Sequence, residues 1–145
     1  MKRDIIIQIM SGLIALVFVY AAISKLIIYD TFKTQLSQSP FISSFSAPLS
    51  WILPFVEIVV ACSLGFSALR LYALYTSLFL LSVFTAYLTG MVNFSYYIPC
   101  SCGGLLASLT WKQHIALNGA LIVITIGCIH LSQAGADSKQ LTIKM

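Results

Sequence analysis

The chain has 145 residues, of which 59% are hydrophobic and only 8% charged, and its eight basic against four acidic side chains give a formal net charge of +4. Soluble domains carry about a quarter charged residues, so this composition and a mean hydropathy of +0.97 exclude one and point to an integral membrane protein. The basic residues are scattered rather than clustered, which sets nucleic acid aside and leaves the lipid bilayer as the first partner.

A spanning helix takes roughly 20 mostly apolar residues, so this length accommodates about four spans with short connections and no separate soluble domain. The first run, 5–28, follows Met1-Lys2-Arg3 and precedes Tyr29-Asp30. Its basic start and the small Ala21-Ala22 also fit a signal peptide. The run is longer than the ~7–15 residues of a signal core, however, and its removal would leave an odd number of spans. It reads as the first span.

Residues Thr31 to Ala47 interleave Thr, Gln and Ser with Phe32, Leu36, Phe41, Ile42 and Phe45 around Pro40. They read as an external loop resting in the membrane interface with its aromatics down. The second run, 48–69, opens on Pro48, whose missing N–H costs nothing at a helix start, and contains Pro54 and Glu57. Arg70 alone separates it from the third run, 71–92, which predicts a tight helical hairpin. A fourth run, 113–132, follows the segment Asn93 to Trp111, and the polar tail 133–145 is expected to be loosely ordered. The runs together predict an all-α, single-domain, four-helix membrane bundle.

Lys2, Arg3, Arg70, Lys139 and Lys144 fall on one side of such a bundle, and Lys25, Lys33 and Lys112 on the other. By the positive-inside rule the first side is cytoplasmic and holds both termini, in a bacterium at the inner membrane. The segment with Cys100 and Cys102 is then periplasmic, where disulfide chemistry is available.

Cys100 and Cys102 are flanked by Pro99 and by Gly103-Gly104, which allow unusual dihedrals and close backbone approach. A disulfide between residues so close closes a very small ring, and departure from relaxed geometry makes such a bond easier to reduce. Exchange suits the pair better than stapling, because a loop this short gains little closure entropy. Two other readings stay open: a chance pair of loop thiols, and half of a soft-metal site completed by His114.

Glu57 lies roughly two and a half turns inside the second span. A carboxylate in hydrocarbon is costly and marks a functional site by default. Its expected partner is Lys25, roughly one turn from the end of the first span. The two read either as a structural ion pair that fixes helix packing or as a proton-handling site beneath the thiols. His114 stands near the outer interface, where it either favours a neighbouring thiolate when protonated or is simply solvated. Cys62 and Cys128, inside spans, read as small hydrophobes. Aromatics such as Tyr20, Tyr29, Trp51 and Trp111 sit near predicted span ends, as an interfacial belt requires.

These features in their order resemble the MauE/DoxX group of small bacterial membrane proteins. The matching stretches are Tyr20-Ala21-Ala22-Ile23-Ser24-Lys25-Leu26, then Pro54-Phe55-Val56-Glu57, then Cys100-Ser101-Cys102-Gly103-Gly104, and the likeness runs to about Leu131. The resemblance implies a four-helix bundle similar to that of vitamin K epoxide reductase and disulfide-bond-formation proteins. It implies Cys100 and Cys102 as the redox pair of a thiol–disulfide oxidoreductase, with Lys25 and Glu57 as the polar pair beneath. It further implies a periplasmic thioredoxin-like partner, a membrane quinone as candidate cofactor, and a part in methylamine metabolism through the disulfides of methylamine dehydrogenase. The chain departs from the vitamin K group in having one residue between the cysteines and no obvious second outer-loop pair, so an internal electron relay is not carried over. The alternative is a non-enzymatic assembly or transport subunit that binds Cu(I) through Cys100, Cys102 and His114. A third reading is a structural scaffold held by Lys25 and Glu57.

Overall fold

Within a bilayer no water satisfies backbone N–H and C=O groups, so a chain of this composition closes its hydrogen bonds inside helices. In the computed structural model, residues 2–39, 42–94 and 110–143 are described, with the side chains of Trp111 and 136–143 left aside. The elements are α1 (Lys2–Ile27), α2 (Tyr29–Gln38), a 3₁₀ turn (Ser43–Phe45), α3 (Ser46–Gly65), α4 (Arg70–Phe94) and α5 (Trp111–Ile143). Four segments are long and apolar enough to cross a membrane: Lys2–Ile27, Ser43–Gly65, Arg70–Phe94 and Lys112–Gly135. The protein is an all-α, multi-pass membrane protein.

Helix α1 packs on α3 and α5, and α4 packs on the same two, so the four long helices close into a ring. One end of the bundle carries the turn between α3 and α4; the other carries α2, the end of α4 and the start of α5.

Lipid tails are as apolar as leucine, so burial in this bundle does not sort residues by hydrophobicity. Small and weakly polar side chains face inward: Ser11, Ala22 and Ser24 on α1, Ser50 and Ala61 on α3, Ala73 and Ser77 on α4, Thr125 and Cys128 on α5. They let the helix axes approach, while Ile14, Phe18, Leu64, Leu74 and Leu81 fill the space between. Large apolar residues such as Ile9, Phe55, Tyr72 and Phe79 face outward, toward lipid. Two of the buried hydroxyls are satisfied within their own helices, whereas Ser11 Oγ has no hydrogen-bond partner among the described residues. Ser77 Oγ donates to the Ala73 carbonyl at 2.8 Å and Thr125 Oγ1 to the Leu121 carbonyl at 2.7 Å.

Three expectations need correction. The stretch expected as an external loop begins with a helix, α2, because Phe32 and Leu36 stand one turn apart and bury together. The second span ends at Gly65, and a four-residue turn, Phe66 to Leu69, stands where a single Arg70 was expected to make the connection. That turn closes through Phe66 N–H to the Ser63 carbonyl at 3.2 Å and Leu69 N–H to the Phe66 carbonyl at 3.1 Å. Arg70 instead opens α4 and donates from Nε to the Leu64 carbonyl at 3.3 Å, covering a carbonyl that the end of α3 leaves free. Finally, α5 continues through the polar tail to Ile143. Residues 133–143 contain no proline, and Gln133, Ala134, Ala136, Lys139, Gln140 and Leu141 are good helix formers.

The start of α5 is set by a capping box. Thr110 N–H donates to Gln113 Oε1 at 2.9 Å, and Gln113 N–H returns to Thr110 Oγ1 at 3.4 Å.

Candidate functional site

Antiparallel packing of α1 on α3 brings the last turn of α1 beside the middle of α3. Lys25 and Glu57 meet there, with Nζ donating to Oε1 at 2.7 Å. Glu57 is 1% exposed, so the pair lies in the bundle wall rather than on its rim. Two further features favour the cation: the free carbonyls at the C-terminus of α1, and the Phe84 ring, whose centroid is 5.7 Å from Nζ. The second carboxylate oxygen, Glu57 Oε2, is buried and has no hydrogen-bond partner among the described residues. The carboxylate therefore keeps acceptor capacity that Lys25 does not use.

Both residues line a cavity of about 270 Å³. His114 and Asn118 from α5 and Tyr87 from α4 are its other polar neighbours, with Gln35 from α2; the rest of the wall is apolar and includes Phe18, Phe32, Phe84 and Met91. His114 is 8% exposed and within range of the Lys25 charge. The sequence places it near the interface; the structure puts it inside the bundle. Its position follows from α5 starting at Trp111, after the Thr110 cap, which sets His114 and Asn118 one turn apart on a single face.

Helix α2 covers this end. Tyr29 OH lies 3.1 Å from Ser50 Oγ, and its ring meets Trp51 at 5.1 Å between centroids, which docks the start of α2 on α3. At the other end Tyr87 OH donates to Ser39 Oγ at 3.0 Å, tying the residue after α2 to α4. Tyr87→Phe removes that tie and is expected to lower stability by about 1 kcal/mol. Faster amide exchange confined to residues 29–39, with α3 and α4 unchanged, is the measurement that checks it.

The sequence pairs Lys25 with Glu57, and the structure brings them together. It does not foresee the cavity, although its walls are written as residues four apart: Ala21 with Lys25, Leu53 with Glu57, Tyr87 with Met91, His114 with Asn118. Cys100 and Cys102 lie outside the described residues, and with them two of the three members of the soft-metal set that His114 would complete. Among the described residues no three His, Cys, Asp or Glu side chains gather as metal ligands. Of the other thiols, Cys62 is exposed on α3 and Cys128 is buried in α5.

A buried ion pair with a spare acceptor and a neighbouring imidazole, all at an apolar cavity, can hold a proton and can bind an amphiphile. No curated protein and no solved structure matches the chain. The family described as Methylamine utilisation protein MauE matches residues 3–131, from the first turn of α1 to the last spanning turns of α5, and the chain therefore belongs to the MauE family.

Proposed function

We propose that this protein is a membrane thiol–disulfide redox protein of the methylamine utilisation type, with Cys100 and Cys102 as its reacting pair. The observation that carries the reading is Pro99-Cys100-Ser101-Cys102-Gly103-Gly104 in the stretch that joins α4 to α5, the two helices that supply Met91 and His114 to the cavity wall. Family membership supports it.

In the exchange, a thiolate of a periplasmic thioredoxin-like partner attacks one sulfur of the Cys100–Cys102 disulfide. The S–S bond breaks as a mixed disulfide forms, and the partner's second thiolate then releases the dithiol. Two electrons and two protons pass to Cys100 and Cys102, and the partner leaves as a disulfide. Lys25 and Glu57 serve as the polar pair that holds a proton near this end of the bundle. Turnover needs an acceptor for the two electrons, a role the family resemblance gives to a membrane quinone; the cavity beside Lys25 is apolar and roomy enough for its ring. The reading goes with cytoplasmic termini and a periplasmic cysteine pair in a bacterial inner membrane.

The test is to mix the oxidised protein, reconstituted in nanodiscs, with reduced thioredoxin. Loss of the thioredoxin thiols in proportion to the protein added, matched by new thiols at Cys100 and Cys102, is the expected result. Thioredoxin thiols that stay unchanged would overturn the proposal.

A further inference from the structure

We infer that water occupies the polar side of the cavity beside Lys25 and Glu57, held between the second carboxylate oxygen of Glu57 and the His114 and Asn118 side chains, and that it carries protons between Glu57 and the end of the bundle that α2 covers. The inference rests on the reading that Lys25 and Glu57 hold a proton, and adds the route by which that proton arrives.

A buried polar atom without a partner marks a water site where other polar groups converge on the same space. Glu57 Oε2 is such an atom: it is buried, it has no hydrogen-bond partner among the described residues, and Glu57 lines the cavity. Three further hydrogen-bonding groups line the same space: the Lys25 ammonium, which has three donors and gives one to Glu57 Oε1, the His114 imidazole and the Asn118 amide. A buried water takes two to four polar partners and about 30 Å³ of liquid volume. A cavity of about 270 Å³ has both the groups and the room. Phe18, Phe32, Phe84 and Leu88 offer water no comparable partner, which confines it to the side where Glu57, His114 and Asn118 stand.

Depth makes the water necessary. Glu57 lies roughly 16 Å along α3 from Ser46, at a rise of about 1.5 Å per residue. One hydrogen-bonded step covers only about 3 Å, so the carboxylate cannot trade protons with the surface directly. On α5, which starts at the same end, His114 lies roughly 5 Å from Trp111 and Asn118 one turn deeper. These two side chains form a ladder of hydrogen-bonding groups toward Glu57, and Gln35 of α2 lines the cavity from the covering side. Among the described residues the titratable groups that line the cavity are Lys25 of α1, Glu57 of α3, Tyr87 of α4 and His114 of α5. Glu57 is the group that takes the proton. The nearest water gives a proton to Oε2 and takes one from the next water outward, so one proton enters from bulk water and the chain of waters is left as it was. Release runs the same steps backward.

The test uses the full chain in lipid bilayers. In water-edited solid-state NMR, the His114 ring and the Asn118 amide should receive magnetisation from water as early as exposed Lys33, and well before Ser77 and Thr125, which are 0% exposed and line no part of the cavity. Time-resolved infrared after light-triggered release of a caged proton then follows the carboxylic-acid band of Glu57, assigned by its loss in Glu57→Gln. Asn118→Leu and His114→Leu should each slow the rise of that band about tenfold, as expected when a path loses a hydrogen bond close to a charged group. His114→Gln, which keeps a donor and an acceptor in place, should retain the wild-type rate. Thermal melts identify which variants fold; if neither leucine variant does, the wild-type NMR spectrum decides. His114 and Asn118 signals no earlier than those of Ser77 and Thr125 overturn the inference. So does an unchanged rate in the leucine variants, or a His114→Gln protein as slow as His114→Leu. A Glu57 acid band absent at every pH overturns the proton-holding reading as well, which separates the two failures.

Discussion

Lys25→Met is expected to destabilise the bundle by roughly 3–5 kcal/mol, and Lys25→Met/Glu57→Leu to recover most of that loss. The single change leaves a carboxylate that is 1% exposed with neither its cation nor water. The double change leaves neither charge to solvate, and Met and Leu fill similar volumes. Glu57→Leu alone should cost less than Lys25→Met, because Lys25 sits in the last turn of α1 and can extend its ammonium toward the membrane surface. A double-mutant cycle from unfolding in mixed micelles measures the coupling directly. Additive single changes would show that the 2.7 Å contact contributes nothing to the fold.

Cys100→Ser and Cys102→Ser are each expected to reduce exchange with thioredoxin to background. One of the two should accumulate a mixed disulfide, because a lone sulfur can form that bond but has no second thiol to resolve it. Cys62→Ala and Cys128→Ala should leave exchange intact. Cys62 faces outward from α3, and Cys128 is fully buried in α5, where it acts as a small apolar residue. Gel shift after acid quenching reads the mixed disulfide, and partner thiol loss reads the rate. Full exchange in both single variants would remove the cysteine pair from the mechanism.

The spans and the ion pair are legible in the sequence for one reason: hydrocarbon tolerates neither unpaired backbone nor unpaired charge. Long apolar runs therefore mark helices, and a Glu inside one of them demands a cation, which only Lys25 supplies near the end of an antiparallel neighbour. Helix α2 escapes that logic because it is short and mixed in polarity. Its helical signal is confined to Phe32 and Leu36, one turn apart, and the Ser-rich, proline-containing stretch around them reads as a loop. The hairpin turn escapes for a different reason: Phe66 and Leu69 are as apolar as the spans they join, so hydropathy runs on past the end of α3 at Gly65. The cavity is the least legible feature. A membrane bundle has no apolar face by which to recognise its interior, so His114 looks interfacial until the capping box at Thr110 fixes the register of α5.

Differential alkylation in native membranes, with peptides spanning Cys100 and Cys102 read by mass spectrometry, reads the redox state of the pair in place. Cys100 and Cys102 should resist labelling before reduction and both accept label after it, with Cys62 and Cys128 labelled to the same extent in the two samples. Labelling of Cys100 and Cys102 that neither reductant nor oxidant changes would contradict a redox pair.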